Sequence, residues 1–135
     1  MSLFRIFDIA GSAMSAQSVR LNTTASNLAN SETVSSSEAN AYRARQPVFA
    51  ALVDTFSREA AGVRVTGIVE DRTPVHKEYA PDNPLADEEG YIYKSNVNAV
   101  EEMANMISAS RSYQNSVEVL NTSKQLLMST LRLGQ

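Results

Sequence analysis

Apolar residues recur every seven positions near the N-terminus, at Phe7, Met14, Leu21 and Leu28. A second set near the C-terminus, Met103, Met106, Tyr113, Val117, Leu120, Leu127 and Leu131, follows steps of three, four and seven. Such spacing keeps one stripe of an α-helix turned toward a partner along its length. It predicts a helix over residues 3–30, roughly 42 Å long, and a second from 96 to about 133, roughly 57 Å. Ser2 is the expected N-cap of the first and Asn30 its stop. Asn96 or Asn98 caps the second, Glu101 and Glu102 suit the positive end of its dipole, and Gly134 ends it. Beside the large heptad positions of the first helix lie Gly11, Ser18 and Ala25, also seven apart. A stripe of small residues allows a neighbouring helix to approach closely. Ser110 and Lys124 interrupt the apolar seam of the second helix, as register-fixing polar residues do.

The middle of the chain changes period. Residues 31–42 are polar and Ser-rich and read as a loop, and Val48 to Phe56 is ambiguous between a short helix and a strand. Gly62 to Val69 alternates β-branched residues and predicts a strand, with Tyr91-Ile92-Tyr93 a second. Pro74, Pro81, Pro84 and Gly90 forbid a long helix between them. The expected class is mainly α with a small β insert. An N-terminal assembly helix (1–30) and a C-terminal one (96–135) pair as a coiled-coil hairpin and form one domain. The loop-and-strand insert (31–95) lies between them.

Charge is distributed unevenly. Of the net −3, residues 1–30 hold Arg5, Asp8 and Arg20, for +1, and residues 96–135 are neutral. The insert therefore carries −4. A helix that meets water on most sides carries a charged face, and the first helix does not, so it is expected to be buried in an assembly. About four large apolar side chains on its seam each contribute ~1.5–3 kcal/mol when fully buried. Ordering its backbone costs on the order of 1–2 kcal/mol per residue before hydrogen bonds and other packing. The terminal segments are therefore expected to be poorly ordered in the isolated chain and to fold when copies pack together.

Candidate chemistry is sparse. There is no cysteine, which excludes disulfides and thiolate metal sites. His76 stands alone in a Pro-rich loop, short of a zinc site. The acidic group Asp82, Asp87, Glu88 and Glu89 lacks the spacing of a calcium loop and reads as solvated. No Gly-x-Ser-x-Gly elbow and no Gly-rich phosphate loop occurs. The mild acidity offers no basic face for nucleic acid. No apolar run reaches the ~20 residues of a membrane span, and the first residues lack the pattern of a Sec-type leader. No active site, metal or cofactor is expected, and the protein is not expected to be an enzyme. Met103, Met106 and Tyr113 are read as assembly seam; Asn27, Asn30, Asn96 and Asn98 are read as caps, with inter-subunit hydrogen bonding a further role.

Several blocks, in order, resemble bacterial flagellar basal-body rod proteins of the axial superfamily. They are Ser2-Leu3-Phe4, Phe7 to Gln17, Arg20-Leu21-Asn22 and Ala25-Ser26-Asn27-Leu28-Ala29-Asn30 at the start. Tyr42-Arg43-Ala44-Arg45-Gln46-Pro47-Val48-Phe49, Gly62-Val63-Arg64-Val65 and Asn83-Pro84-Leu85-Ala86-Asp87 follow. Ser95 to Asn98, Glu101 to Ile107 and Ser110 to Gln114 complete the set. The Tyr-Arg-Ala-Arg block, the Asn-Pro-Leu-Ala-Asp block and the short length are closest to the C-type, proximal-rod members. One departure is the Ser-rich stretch 34–41, which separates Thr33 from Tyr42 where many relatives run directly from Thr-x-Gly to Tyr.

The resemblance implies a structural subunit that polymerises into the hollow drive shaft carrying torque from the inner-membrane rotor to the hook. It implies partners among B-type and F-type rod subunits, further copies of itself, the rod-to-MS-ring adaptor and, during secretion, the flagellar type III export apparatus. It places the protein in the basal body, in the periplasmic space, exported without a cleaved leader. Rival readings are another rod or hook-type axial subunit, and a free-standing helical-hairpin adaptor or export chaperone. The second rival predicts a stable monomer or small closed oligomer.

Overall fold

The computed structural model describes residues 3–53 and 60–134, so the expected cap at Ser2 and residues 54–56 of the ambiguous stretch lie outside the described residues. Helix α1 (Leu3–Ala29) and helix α2 (Ala99–Leu133) are 27 and 35 residues long. They pack lengthwise and antiparallel: Asn27 meets Glu102 near one end of the pair, and Ile6 and Ile9 share a groove with Ser116 and Val119 towards the other.

α2 begins at Ala99, three residues later than the earliest predicted start. Asn98 caps it, its Oδ1 accepting from the N–H groups of Val100 (3.1 Å) and Glu101 (3.3 Å). Arg132 lies in its last turn, where a cation opposes the helix dipole favourably.

Both helices are rich in hydroxyl residues, and several satisfy themselves. Thr23 Oγ1 donates to the Val19 carbonyl, Ser116 Oγ to Ser112, and Thr130 Oγ1 to Leu126 and Leu127. A hydroxyl bonded back to its own helix needs no further partner, so Thr23 and Ser116 can stand in or beside a packed seam.

The insert has two parts. Strands β2 (Arg45–Val53) and β3 (Ala60–Glu70) form an antiparallel ribbon that packs on α1, with register shifts at Val48/Phe49 and Leu52/Val53. Such bulges increase local twist. The ambiguous stretch is thus a strand as far as Val53. Pro47 is tolerated because it sits in a two-stranded ribbon, where every strand is an edge.

The second part is a small sheet in the order β1 (Val34–Ser35), β5 (Tyr91–Lys94), β4 (His76–Tyr79), with Ile92 buried. Residues 31–42, expected as a loop, hold β1 and a 3-10 turn (Glu38–Asn40). His76, expected in a loop, opens β4. Every residue of β4 is exposed, so no apolar alternation marks it.

β1 follows α1 and β5 precedes α2, so Val34↔Lys94 and the Ser95 N–H to Thr33 carbonyl bond (3.4 Å) clamp the two helices beside their junction with the insert. Asp87 organises the turn before β5. Its Oδ1 accepts from the Glu89 and Tyr91 N–H groups and its Oδ2 from the Tyr93 hydroxyl. The Tyr91 N–H above all holds this carboxyl below the usual carboxylate range. Gly90 closes the turn at φ +83°, and a Cβ there would sit 2.9 Å from the Tyr79 ring. The acidic group is therefore a built turn at Asp87.

Candidate assembly surface

The burial pattern along α2 resolves its seam. Glu102, Met106, Ala109, Tyr113, Ser116, Leu120, Ser123 and Leu127 alternate steps of four and three, and all are buried or half-buried. Four predicted seam residues, Met106, Tyr113, Leu120 and Leu127, belong to it. Every second layer, however, is small or polar, and those layers include the most deeply buried positions of the helix: Glu102, Ala109 and Ser123. Val117 is half-buried beside the seam. Met103 and Leu131 fall off it and stand 52% and 61% exposed.

On α1 the corresponding series is Ile6, Ala10, Ala13, Gln17, Arg20, Thr24 and Asn27, again in steps of four and three and again buried or half-buried. The predicted residues Phe7, Met14, Leu21 and Leu28 lie one position round from it and are each half-buried. The helix pair thus closes on small and polar side chains, and its large apolar ones stay partly wet. Gln17 Oε1 is buried and has no hydrogen-bond partner among the described residues. An apolar groove of about 280 Å³ remains open between Ile6, Ile9, Ala13 and Val119.

A third face of α1 touches little. Phe4, Asp8, Gly11, Ser15, Ser18, Asn22, Ala25 and Ala29 follow the same 4,3 alternation, and every one is exposed. The predicted small stripe Gly11, Ser18 and Ala25 lies wholly within it. On α2, Val100, Met103 and Ile107 form an exposed apolar row at one end, and Leu126, Met128, Leu131 and Leu133 are exposed at the other. The outer ribbon adds Val48, Val53, Ile68 and Val69. Apolar exposure on this scale marks a surface awaiting contact.

Where the helices meet the insert, polar side chains form a closed node. Asn27 is 1% exposed and uses its full hydrogen-bonding capacity. Its Oδ1 accepts from the Arg45 N–H (2.9 Å) and the Tyr42 hydroxyl (3.0 Å), and its Nδ2 donates to the Arg45 carbonyl (2.8 Å) and Glu102 Oε2 (3.1 Å). Glu102 Oε1 accepts from Asn105 at 3.5 Å, and Arg20 donates to Asn105 Oδ1 at 3.2 Å.

Asn96 Oδ1 accepts from the Ala44 N–H (2.7 Å), and its Nδ2 donates to the Thr73 carbonyl and hydroxyl. Of the four asparagines expected as caps, only Asn98 caps a helix N-terminus. Asn30 Nδ2 donates to the Ser26 carbonyl in the last turn of α1. Asn27 and Asn96 hold backbone of the insert, and Glu102, expected only to face the dipole, is buried in the node.

Ribbon and α1 meet again at Ser12. Its Oγ donates to the Ile9 carbonyl and accepts from the Val63 N–H at 3.1 Å. Gly62, at φ +150°, leaves room for it, since a Cβ there would sit 2.5 Å from Ser12 Oγ.

Among the described residues no group of three or more His, Asp or Glu side chains is placed to hold a metal ion, and no helix is long and apolar enough to cross a membrane.

The family described as flagella basal body rod protein matches residues 7–34, and the one described as flagellar basal body rod FlgEFG protein C-terminal matches residues 88–133. The flagellar basal-body rod protein FlgC of Yersinia enterocolitica is 53% identical over 135 residues, covering all of both chains. That of Salmonella typhimurium is 52% identical and one from Buchnera aphidicola 39%, again over the full length of each.

Proposed function

The chain belongs to the flagellar basal-body rod protein family and is a structural protein rather than an enzyme, and from that premise we propose that it polymerises with itself and with other rod subunits into the proximal part of the rod. The finer parts of this reading are a coiled-coil pairing of α1 and α2, export through the type III apparatus, a periplasmic position, and contacts with B-type and F-type subunits and the ring adaptor. Phe7, Met14, Leu21, Leu28, Met103, Met106, Tyr113, Val117, Leu120, Leu127 and Leu131 are the side chains assigned to packing, either within the helix pair or against neighbours. The 4,3 alternation of buried positions on both helices supports the coiled-coil pairing.

One observation carries the assembly reading: an exposed face of α1, from Phe4 to Ala29, in strict 4,3 alternation and built mostly of small residues. A helix face that stays in water usually carries several charges, and this one holds only Asp8, whereas a neighbouring helix seats closely on small residues. Unlike surfaces that meet head to tail without closing produce a helical filament, the geometry of a shaft.

Ser18→Arg tests this directly. It places a long charged side chain at the middle of the free face, so the stability of the isolated chain should stay within about 0.5 kcal/mol of the parent. Incorporation into basal bodies should be lost and swimming with it. Normal basal bodies in cells carrying only this variant would refute the assignment of that face.

A further inference from the structure

The Ala44–Arg45 dipeptide opens the ribbon, and side chains from both helix ends hold its backbone. Asn27 Oδ1 accepts the Arg45 N–H while Asn27 Nδ2 donates to the Arg45 carbonyl, at 2.9 and 2.8 Å. Two residues that exchange both backbone bonds in an antiparallel sheet present the same pattern, so the carboxamide stands in for a strand neighbour. Asn96, on the segment leading into α2, accepts the Ala44 N–H, and the Ala44 carbonyl accepts from the Asp71 N–H at 2.7 Å. All four polar backbone groups of the dipeptide are thereby engaged. The second proton of Asn27 Nδ2 goes to the buried carboxylate of Glu102. Only an amide has the donors and acceptors to meet the ribbon and α2 at once.

We propose that Asn27 is a positioning residue that seats the β2–β3 ribbon on the helix pair by acting as a surrogate strand residue toward Arg45, with Glu102 aiming its amide. The ribbon's second attachment, Val63 to Ser12, lies fifteen residues back along α1, ~22 Å away. Asn27 then fixes the base of the ribbon and Ser12 its far part, and the base sets the direction in which the apolar outer face projects. This role concerns the lone chain and is measured independently of rod assembly.

Asn27→Asp keeps the shape and the acceptor Oδ1 but removes the donors and sets a carboxylate against Glu102. Asn27→Asp combined with Glu102→Gln restores a donor between the helices, from Gln to Asp, yet still leaves the Arg45 carbonyl facing a carboxylate. Glu102→Gln alone keeps every bond of Asn27.

The full chain has no native cysteine. Spin labels on Val69→Cys, at the base of the ribbon opposite Gln46, and Ser108→Cys, both exposed positions, therefore report the distance from the ribbon's base to α2. Hydrogen exchange over the first turns of α2 reports the helix contact. The parent and Glu102→Gln should give one narrow distance distribution. Asn27→Asp should at least double its width. The double variant should recover exchange protection in α2 while the distribution stays broad.

A narrow distribution in Asn27→Asp, recovery of both readouts in the double variant, or a broad distribution in Glu102→Gln overturns the proposal. Should Asn27→Asp lose its helical circular dichroism, the double variant compared with Glu102→Gln alone makes the same test. A double variant without helices would then overturn it.

Discussion

Leu120→Asp is expected to abolish incorporation of the subunit into the rod and leave cells non-motile, while the variant chain is still exported. Leu120 lies on the α2 seam in one of the large layers, between Ser116 and Ser123, and is half-buried in the lone chain. The layers on either side of it are small, so nearby packing has few large apolar groups to compensate for its loss. An ionised carboxylate there must be desolvated without a partner, which costs about 2 kcal/mol or more where the site is only partly closed. Burial by neighbouring subunits deepens that penalty. The export proposed above passes an unfolded chain and would not require the seam, so Leu120→Asp protein should be found outside the cytoplasm. Swimming at the wild-type rate would remove Leu120 from the packing surface.

The distinction between large and small layers shows where the sequence was readable and where it was not. Both helices were legible because a repeat sustained over about six and eight turns has no strand interpretation. β3 and β5 were legible because Val63, Val65 and Ile92 sit among β-branched and aromatic neighbours. β4 was not, since His76 to Tyr79 face water on both sides and carry no alternation. β1 is two residues long and exists through its pairing with β5, a tertiary fact.

Hydrophobic spacing finds the stripe that carries large residues. It did not find that Ala109 and Ser123 are more buried than Leu120, because close helix approach places small side chains at the axis of contact and large ones around it. The role of Asn27 escapes the sequence for a related reason. Near a helix end an asparagine looks like a cap, and nothing local distinguishes one that bonds to a strand eighteen residues away. The buried Glu102, acidic and in a first turn, was hidden by the dipole rule that usually explains such residues.

Asn27→Ala should destabilise the folded chain more than any exposed substitution, by about 3 kcal/mol, since each buried polar group left unpaired costs ~1–3 kcal/mol. Three groups lose their partner, the Arg45 N–H and carbonyl and Glu102 Oε2, while the Tyr42 hydroxyl keeps Ser26 Oγ at 3.2 Å. The losses are not additive, because water reaches Arg45, which is exposed. Chemical denaturation followed by tyrosine fluorescence measures it. A change below about 1 kcal/mol, the net worth of one ordinary hydrogen bond, would show that the node is a surface decoration. Replacing Asn98 by Ala removes a cap only and belongs at the lower end, about 1 kcal/mol.

A helix pair that meets mainly on small side chains, with its large apolar ones half-buried and its other faces exposed, depends on neighbours for most of its order. Circular dichroism of the dilute chain, compared with the same chain polymerised with rod subunits, tests that most directly. The prediction is a helical signal well below the half of the chain that helices of 27 and 35 residues occupy, with ordered structure kept near Asn27 and Glu102, rising to about one half on assembly. A dilute monomer already near one half helical, melting cooperatively and unchanged when rod subunits are added, would contradict it.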